Sequence, residues 1–214
     1  MILLLDNHDS FVHNLARYFR LAGEATRVIR SDAIDVDVVR QLSPLAIVLS
    51  PGPKGPQDAG CCVDVVRELS ATIPIMGVCL GHQSIGYALG GEVIRVEPMH
   101  GRESEIVHDG SVWFDGCPNP LKVGRYHSLA IRRSGIPPTL RIAAETRVSH
   151  GEEPVVMAIR HLSRPLIGFQ FHPESVLTPA GSKLVENFIR QARAWHQLGP
   201  ESLVQPHDQV QPVA

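Results

Sequence analysis

The chain has 214 residues, 43% of them hydrophobic, which is enough for one domain with a sizeable core. Its formal net charge of −2 offers no basic surface for nucleic acid or anionic lipid, and no apolar run reaches membrane-spanning length. The four cysteines, at positions 61, 62, 79 and 117, show no paired spacing, and the N-terminus lacks a basic leader. We therefore expect free thiols in the reducing cytoplasm.

The first half of the chain alternates apolar runs with amphipathic segments. Continuous apolar runs, typical of strands buried on both faces, predict strands at residues 2–5, 26–29, 46–49 and 73–78. Helical spacing predicts a first helix capped by Ser10 and ended by Gly23, and later helices at residues 35–42, 58–69 and 80–90. This alternation predicts an α/β fold with a doubly wound, mostly parallel sheet.

The second half has a different pattern. Short apolar runs separated by turn signals predict an antiparallel extension of the sheet, with strands at residues 92–96, 103–108, 111–114, 123–126, 130–132, 140–145, 155–160 and 166–171. A closing helix is predicted at residues 179–195, with Leu184, Phe188 and Ile189 in its apolar stripe. Residues 198–214 include three prolines and are expected to form a disordered tail, which leaves residues 1–197 as the folded domain.

Cys79 is the strongest candidate for a catalytic nucleophile. It follows a predicted buried strand and precedes a predicted helix, with Gly77 and Gly81 on either side. This is the pattern of a nucleophile elbow, a sharp and strained turn with φ above zero, here with Cys in place of Ser. The positive end of the helix favours the thiolate, which is the reactive form. The alternative is a small buried cysteine without a chemical role.

His172 and Glu174 are the candidates for the base and its orienting group. Two positions apart in an extended chain, they are expected to project to one side, so that Glu174 bonds one imidazole nitrogen and leaves the other for the thiol. Taken alone, His172 could be a metal ligand or a solvated strand end, and Glu174 a surface charge. Because Asp6, Gly52, Cys79 and His172 all lie at predicted strand ends, we expect them to gather at one edge of the sheet.

Two longer motifs carry a resemblance to a known family. The run Gly-Val-Cys-Leu-Gly-His-Gln at residues 77–83 and the run Phe-Gln-Phe-His-Pro-Glu-Ser at residues 169–175 resemble the class I (triad) glutamine amidotransferases. Motifs at residues 6–11, 49–53, 100–110 and 126–129 narrow this to one branch, the glutaminase subunits of anthranilate synthase and aminodeoxychorismate synthase. The resemblance extends over about residues 1–195 and implies a flavodoxin-like class I amidotransferase fold.

The oxyanion hole is expected from the backbone as well as from the family. The run Ser-Pro-Gly-Pro at residues 50–53 is either an ordinary tight turn or a rigid loop that aims the Gly52 N–H at a developing oxyanion, with the Leu80 N–H as the second donor. The resemblance supports both donors and implies no metal and no organic cofactor. It also implies a set of residues that bind glutamine: Gly52, Pro53, Lys54, Gln83, Ser128 and Leu129.

Lys54 departs from the family pattern, in which this position is often glycine. If the position requires a positive φ, lysine is strained there by on the order of 1 kcal/mol. Otherwise the loop has a different local geometry.

The predicted function is hydrolysis of L-glutamine through a Cys79 thioester, with ammonia passed to a chorismate-binding synthase subunit in a hetero-oligomer. The charged segment at residues 99–110 is either a solvated hairpin or, as the resemblance suggests, part of the contact with that subunit. Two alternatives stay open: a glutaminase of another pathway, such as nucleotide or carbamoyl phosphate synthesis, and a non-catalytic doubly wound module that binds a nucleotide or flavin. The second would need a glycine in the loop after the first strand, and residues 7–9 contain none.

Overall fold

The computed structural model describes residues 1–148, 152–199 and 203, and a nine-stranded sheet forms the centre of the fold. In chain order the elements are β1 (Ile2–Asp6), α1 (Val12–Leu21), β2 (Thr26–Arg30), α2 (Val36–Leu42), β3 (Ala46–Leu49), α3 (Cys62–Leu69), β4 (Ile75–Val78), α4 (Leu80–Ala88), β5 (Val93–Arg95), β6 (Arg102–His108), β7 (Leu121–Arg125), β8 (Leu129–Ile131), β9 (Leu140–Thr146), β10 (Val156–His161), β11 (Leu166–Phe169) and α5 (Gly181–Leu198).

The sheet has a parallel half and an antiparallel half. Its strand order is β2-β1-β3-β4-β11-β10-β9-β6-β7, and β5 pairs with β8 in a separate two-stranded sheet. All neighbours from β2 to β11 are parallel, and all neighbours from β11 to β7 are antiparallel. The predicted doubly wound sheet with an antiparallel extension is therefore confirmed.

Burial on both faces explains the continuous apolar runs. In β1, Ile2 and Leu4 face one core layer together with α1 and α5, whereas Leu3 and Leu5 face the opposite layer together with α2 and α3. A strand covered by helices on both sides cannot place a polar residue on either face without burying it. The stripes predicted for the covering helices are confirmed, because the apolar residues named for α5 are buried, as are Val12, Leu15, Ala16 and Phe19 of α1.

Four local predictions differ from the structure. Ser10 does not cap α1: the N-cap is Phe11, without a side-chain bond, and an Asp6 oxygen instead accepts from the Asp9 N–H at 2.9 Å. The helix predicted at residues 58–69 is interrupted, because Gly60 has a φ of 53° and separates a short 3-10 helix at Pro56–Asp58 from α3.

The strand predicted at residues 111–114 is a 3-10 turn at Val112–Phe114, closed by the bond from the Phe114 N–H to the Ser111 carbonyl. The last strand ends at Phe169 rather than at residue 171.

Two further predictions concern the membrane and the tail. None of the helices in the described part of the chain combines the length and hydrophobicity needed to cross a bilayer. Most of the predicted tail, residues 200–202 and 204–214, lies outside the described residues, so its disorder stays a prediction. Leu198 ends α5, and Leu203 is buried against the core layer that α5 helps to form.

Candidate active site

Cys79 lies between β4 and α4 in a strained turn. Its φ of 51° and ψ of −101° confirm the predicted sharp elbow, since a non-glycine residue with positive φ is uncommon. Glycine is needed on both sides of it: a Cβ on Gly77 would lie 2.4 Å from the Gly81 carbonyl oxygen, and one on Gly81 would lie 2.2 Å from the Leu49 carbonyl oxygen. The Cys79 N–H donates to the Phe169 carbonyl at 2.8 Å, which fixes the elbow to the neighbouring strand end.

His172 and Glu174 form a buried pair, as predicted. His172 Nδ1 donates to Glu174 Oε1 at 2.7 Å, and this bond assigns the proton to Nδ1 because a carboxylate can only accept. The expected extended backbone is wrong. Residues 173–174 form a turn, and the His172 carbonyl accepts bonds from the Ser175 N–H and from the Thr178 hydroxyl. The carboxylate reaches the imidazole because the chain folds back.

The environment of His172 favours the imidazolium. Burial alone lowers the pKa of His172, but the nearby Cys79 sulfur and the bond to Glu174 more than offset it and raise the pKa to about 10. His172 Nε2 is buried and has no hydrogen-bond partner among the described residues. This direction favours the protonated imidazole beside the sulfur, which is the charge state that complements a thiolate.

Three of the four residues predicted to gather at one sheet edge, Gly52, Cys79 and His172, line one pocket, and Asp6 is not among its lining residues. Cys79, His172 and Glu174 line a pocket of about 450 Å³ together with Gly52 and Pro53 from the loop after β3. Other residues that line this pocket, among them Asp9, His100 and Tyr126, were not predicted as site residues. The Tyr126 ring packs edge-on against the His172 ring, with 5.0 Å between the centroids. Tyr126 belongs to the motif at residues 126–129, but the sequence does not predict this contact, which joins the residue after β7 to the loop after β11.

Gly52 and Leu80 lie close together beside the nucleophile. A Cβ on Gly52 would approach the Asn7 carbonyl oxygen to 2.5 Å and Leu80 Cδ2 to 3.0 Å, so only glycine fits. Leu80 is the first residue of α4, and its N–H has no acceptor within the helix. Gly52 lines the pocket of Cys79 and Leu80 directly follows Cys79, and their role as oxyanion donors stays a prediction.

Lys54 has a positive φ, which is the case in which strain was expected for lysine at this position. Its φ is 68°, and its exposed side chain lies 4.0 Å from Asp58. The loop thus adopts the geometry that glycine would favour, with lysine in a left-handed conformation. Lys54, Ser128 and Leu129 do not line the pocket of Cys79 but a neighbouring cavity of about 680 Å³.

Gln83 links this neighbouring cavity to the nucleophile. Its Nε2 donates to the Leu129 carbonyl at 3.1 Å and to Gln170 Oε1 at 3.2 Å. Gln170, which sequence reasoning did not single out, in turn donates to Cys79 Sγ at 3.7 Å. Gln83 therefore reaches the predicted site through a buried partner.

The charged segment at residues 99–110 pairs antiparallel with the next strand, β7, and more than half of its residues are exposed, so both interpretations of it stay open. Most of it is β6, which lies inside the sheet between β9 and β7. His100, just before this strand, lines the pocket of Cys79.

Comparison with known proteins agrees with this geometry. The model of the family described as glutamine amidotransferase class-I matches residues 3–192. The chain belongs to this family. This amidotransferase is 45% identical over 194 residues to the aminodeoxychorismate/anthranilate synthase component 2 of Bacillus subtilis, a match that covers 90% of the chain and 97% of the relative. It is also 45% identical over 192 residues to the anthranilate synthase component 2 of Pseudomonas aeruginosa, covering 89% of the chain and 96% of the relative.

A solved structure supports the fold of the amidotransferase independently. A protein of Thermoplasma acidophilum described as a GMP synthase subunit superposes with a TM-score of 0.80 at 24% identity, covering 92% of this chain and 96% of that one. At this identity the likeness concerns the architecture alone. Membership of an amidotransferase family argues against the alternative of a non-catalytic binding module.

The strain at Lys54 can be measured. Lys54→Gly should raise the free energy of unfolding by about 0.5 kcal/mol, because relief of roughly 1 kcal/mol of left-handed strain is partly offset by the greater freedom of unfolded glycine. Lys54→Ala is the control, since it removes the exposed side chain and keeps the strain. Urea unfolding of the three proteins gives the comparison, and a glycine variant less stable than the alanine variant would show that this backbone is not strained.

Asp9 should make the stability of the fold depend on pH. Burial, with Glu174 and Asp6 nearby, raises the pKa of Asp9 to about 6, although the Phe11 N–H and His172 oppose the shift. A carboxyl whose pKa is raised by folding stabilises the protein only while protonated, so this contribution is complete below about pH 4 and is lost as pH rises through about 6.

Asp9→Asn should therefore match the wild type below about pH 4 and exceed it above pH 7, by roughly 1 kcal/mol after allowance for solvent screening. Chemical unfolding across this pH range measures the difference. Asp37→Asn, on the exposed surface of α2, is the control. A gain for Asp9→Asn that does not grow with pH would contradict the assignment.

Proposed function

We propose that this chain hydrolyses L-glutamine to glutamate and ammonia and delivers the ammonia to a chorismate-binding synthase subunit. The observation that carries the proposal is the strained Cys79 elbow beside the buried, hydrogen-bonded pair of His172 and Glu174. All four cysteines are free thiols, which suits a reducing compartment, so we place the reaction in the cytoplasm.

The chemistry follows from the charge state of the pair. The Cys79 thiolate attacks the carboxamide carbon of glutamine, and protonated His172 gives its Nε2 proton to the departing nitrogen, which leaves as ammonia. The product of this step is a γ-glutamyl thioester. His172, now neutral, takes a proton from water, and the hydroxide releases glutamate and returns the thiolate. Glu174 holds the imidazole in the required tautomer through its bond to Nδ1.

Backbone donors and a side-chain amide complete the site. The N–H groups of Gly52 and Leu80 stabilise the oxyanion that forms on the carboxamide oxygen. Gln83 presents Oε1 to the amino-acid end of the substrate, because its Nε2 already donates to Leu129 and Gln170. The remaining contacts of that end come from the rest of the predicted set: Pro53, Lys54, Ser128 and Leu129.

The names of the relatives support the choice of partner. Both bacterial relatives are component 2 of a synthase, one named for aminodeoxychorismate and anthranilate and the other for anthranilate alone. We place the partner over the pocket mouth, where Phe11 is 53% and Val176 is 92% exposed, since large apolar side chains beside a reactive site favour a protein neighbour. His100 and Arg102 belong to the same contact.

The nucleophile is tested by Cys79→Ser. We expect glutaminase activity to fall at least about 1,000-fold, because a serine hydroxyl is not ionised in a site arranged for a thiolate, while the unfolding curve stays close to that of the wild type. Cys117→Ser, which removes a thiol outside the pocket, should keep full activity. Near-normal hydrolysis by Cys79→Ser in the presence of the synthase would disprove the assignment, and ammonia-dependent synthesis by the partner should persist in both variants.

Coupling to the partner is tested by kinetics. An uncoupled glutaminase would release ammonia into water, so we expect low activity alone and a rise of roughly 30-fold with synthase and chorismate, equivalent to about 2 kcal/mol of transition-state stabilisation. The measurement is steady-state glutamine hydrolysis by the chain alone, by the chain with the synthase, and by the chain with the synthase and chorismate. Three rates that agree within a factor of about two would refute coupling through this site.

A further inference from the structure

Gln170 lies beside Cys79 because of the register of two strands. β4 and β11 are parallel, and their last paired residues are Val78 and Phe169. The next residues along each strand are Cys79 and Gln170, so the two side chains leave neighbouring strand ends at the same level. Gln170 is fully buried, and its Nε2 lies 3.7 Å from Cys79 Sγ.

The hydrogen bonds around Gln170 decide which end of its amide faces the sulfur. The Leu129 carbonyl can only accept, so Gln83 must present its NH₂ group there, and the same group donates to Gln170 Oε1. With its oxygen occupied in this way, Gln170 directs its own NH₂ group at Cys79. The orientation of the Gln170 amide is thus fixed, because the Leu129 carbonyl cannot donate and Gln83 must therefore donate to both partners.

A second series of hydrogen bonds ends at the Leu129 carbonyl. Arg125 Nε donates to His127 Nε2 at 3.1 Å, and His127 Nδ1 donates to the Leu129 carbonyl at 2.9 Å. Burial, with Arg125 nearby, lowers the pKa of His127 to about 4, so this ring stays neutral with its proton on Nδ1. Neither Leu129 nor Gln83 is therefore free to reorient and release Gln170.

We propose that Gln170 is a further catalytic residue, whose side-chain N–H donates to the Cys79 sulfur and stabilises the thiolate. A donor held in a buried site is strengthened when its acceptor carries a full charge. The same bond assists the second half of the reaction, in which the thiolate is the leaving group from the thioester. The inference rests on the proposed function only in taking Cys79 as the nucleophile.

The test is the pH dependence of Cys79 alkylation by iodoacetamide, a small reagent that needs neither glutamine nor a partner. Gln170→Met keeps a similar volume and removes the N–H donor. We expect the alkylation midpoint to move up by about one pH unit, with a roughly tenfold slower reaction below it, as the loss of one hydrogen bond to a charged group implies. Peptide mapping assigns the adduct to Cys79 among the four cysteines.

Three further variants separate this role from a structural one. Gln170→Glu keeps the shape and replaces the donor by an acceptor, so it should raise the midpoint at least as far as Gln170→Met, and it serves as the test if the methionine variant fails to fold. Gln191→Met, which alters another buried glutamine on α5, should leave the midpoint unchanged. Gln83→Met should shift it less than Gln170→Met, because it loosens the donor without removing it.

A midpoint within about 0.2 pH units of the wild type in a folded Gln170 variant would overturn the proposal, since a bond to a charged group is worth more than that. The proposal also fails if Gln83→Met moves the midpoint and Gln170→Met does not. Glutamine hydrolysis by the wild type is assayed in parallel. Its absence would refute the proposed function while the alkylation midpoints still decide the role of Gln170.

Discussion

The parallel pairing of β4 with β11 is the constraint on which the site depends. The two strands come from opposite halves of the chain, yet their carboxyl ends stop at the same level. Cys79 follows one strand, and Gln170 and His172 follow the other, so the nucleophile, its donor and its base are neighbours although 91 residues separate Cys79 from Gln170 in sequence. The bond from the Cys79 N–H to the Phe169 carbonyl continues the ladder past the last paired residues. A change in this register by one residue would turn the side chain of Gln170 to the other face of the sheet.

The elbow is held by contacts that leave its backbone no alternative. The Cys79 N–H bonds across to β11, and the Cys79 carbonyl accepts the Gln83 N–H of α4 at 3.0 Å, so both polar groups of the strained residue are satisfied. Gly81 packs its Cα against the Leu49 carbonyl, which ties the elbow to β3 and to the loop that carries Gly52. A left-handed residue costs about 1–3 kcal/mol, and it persists where the surrounding structure determines it from several sides. Lys54, whose side chain is exposed, lacks such support from its side chain, which is why its strain should be open to relief by substitution.

The sequence was informative where the signal is local and uninformative where it depends on a neighbouring strand. The elbow, the strand–helix alternation and the approach of Glu174 to His172 all arise within a few residues, and each was predicted, although the turn that joins the pair was not. Residues 58–69 and 111–114 were assigned wrongly because an apolar pattern continues through Gly60 and through a 3-10 turn, where backbone angles alone interrupt it. Gln170 and Asp9 were missed because a glutamine beside a buried strand and an aspartate before a helix acquire meaning only from what lies across the sheet. The assignment of Gly52 and Leu80 as oxyanion donors stays a prediction, argued from the way proline and helix geometry restrict the choice of N–H groups.

The charges around the sulfur also bear on the release of the product. Asp9 and Glu174 both interact with the His172 imidazole, and Glu174 raises the pKa of Asp9, so a further anion at the reacting carbon would meet two carboxyl groups that already lie there. Glutamine brings a neutral carboxamide to that position, whereas the product glutamate brings a carboxylate. Like charges held a few ångströms apart in a partly buried pocket repel strongly, so the repulsion acts on the carboxylate of the product and not on the neutral carboxamide of the substrate. The carboxyl groups beside the imidazole thus disfavour the bound product. Glutamine and glutamate have nearly the same shape, but only glutamate carries the charge that these groups repel.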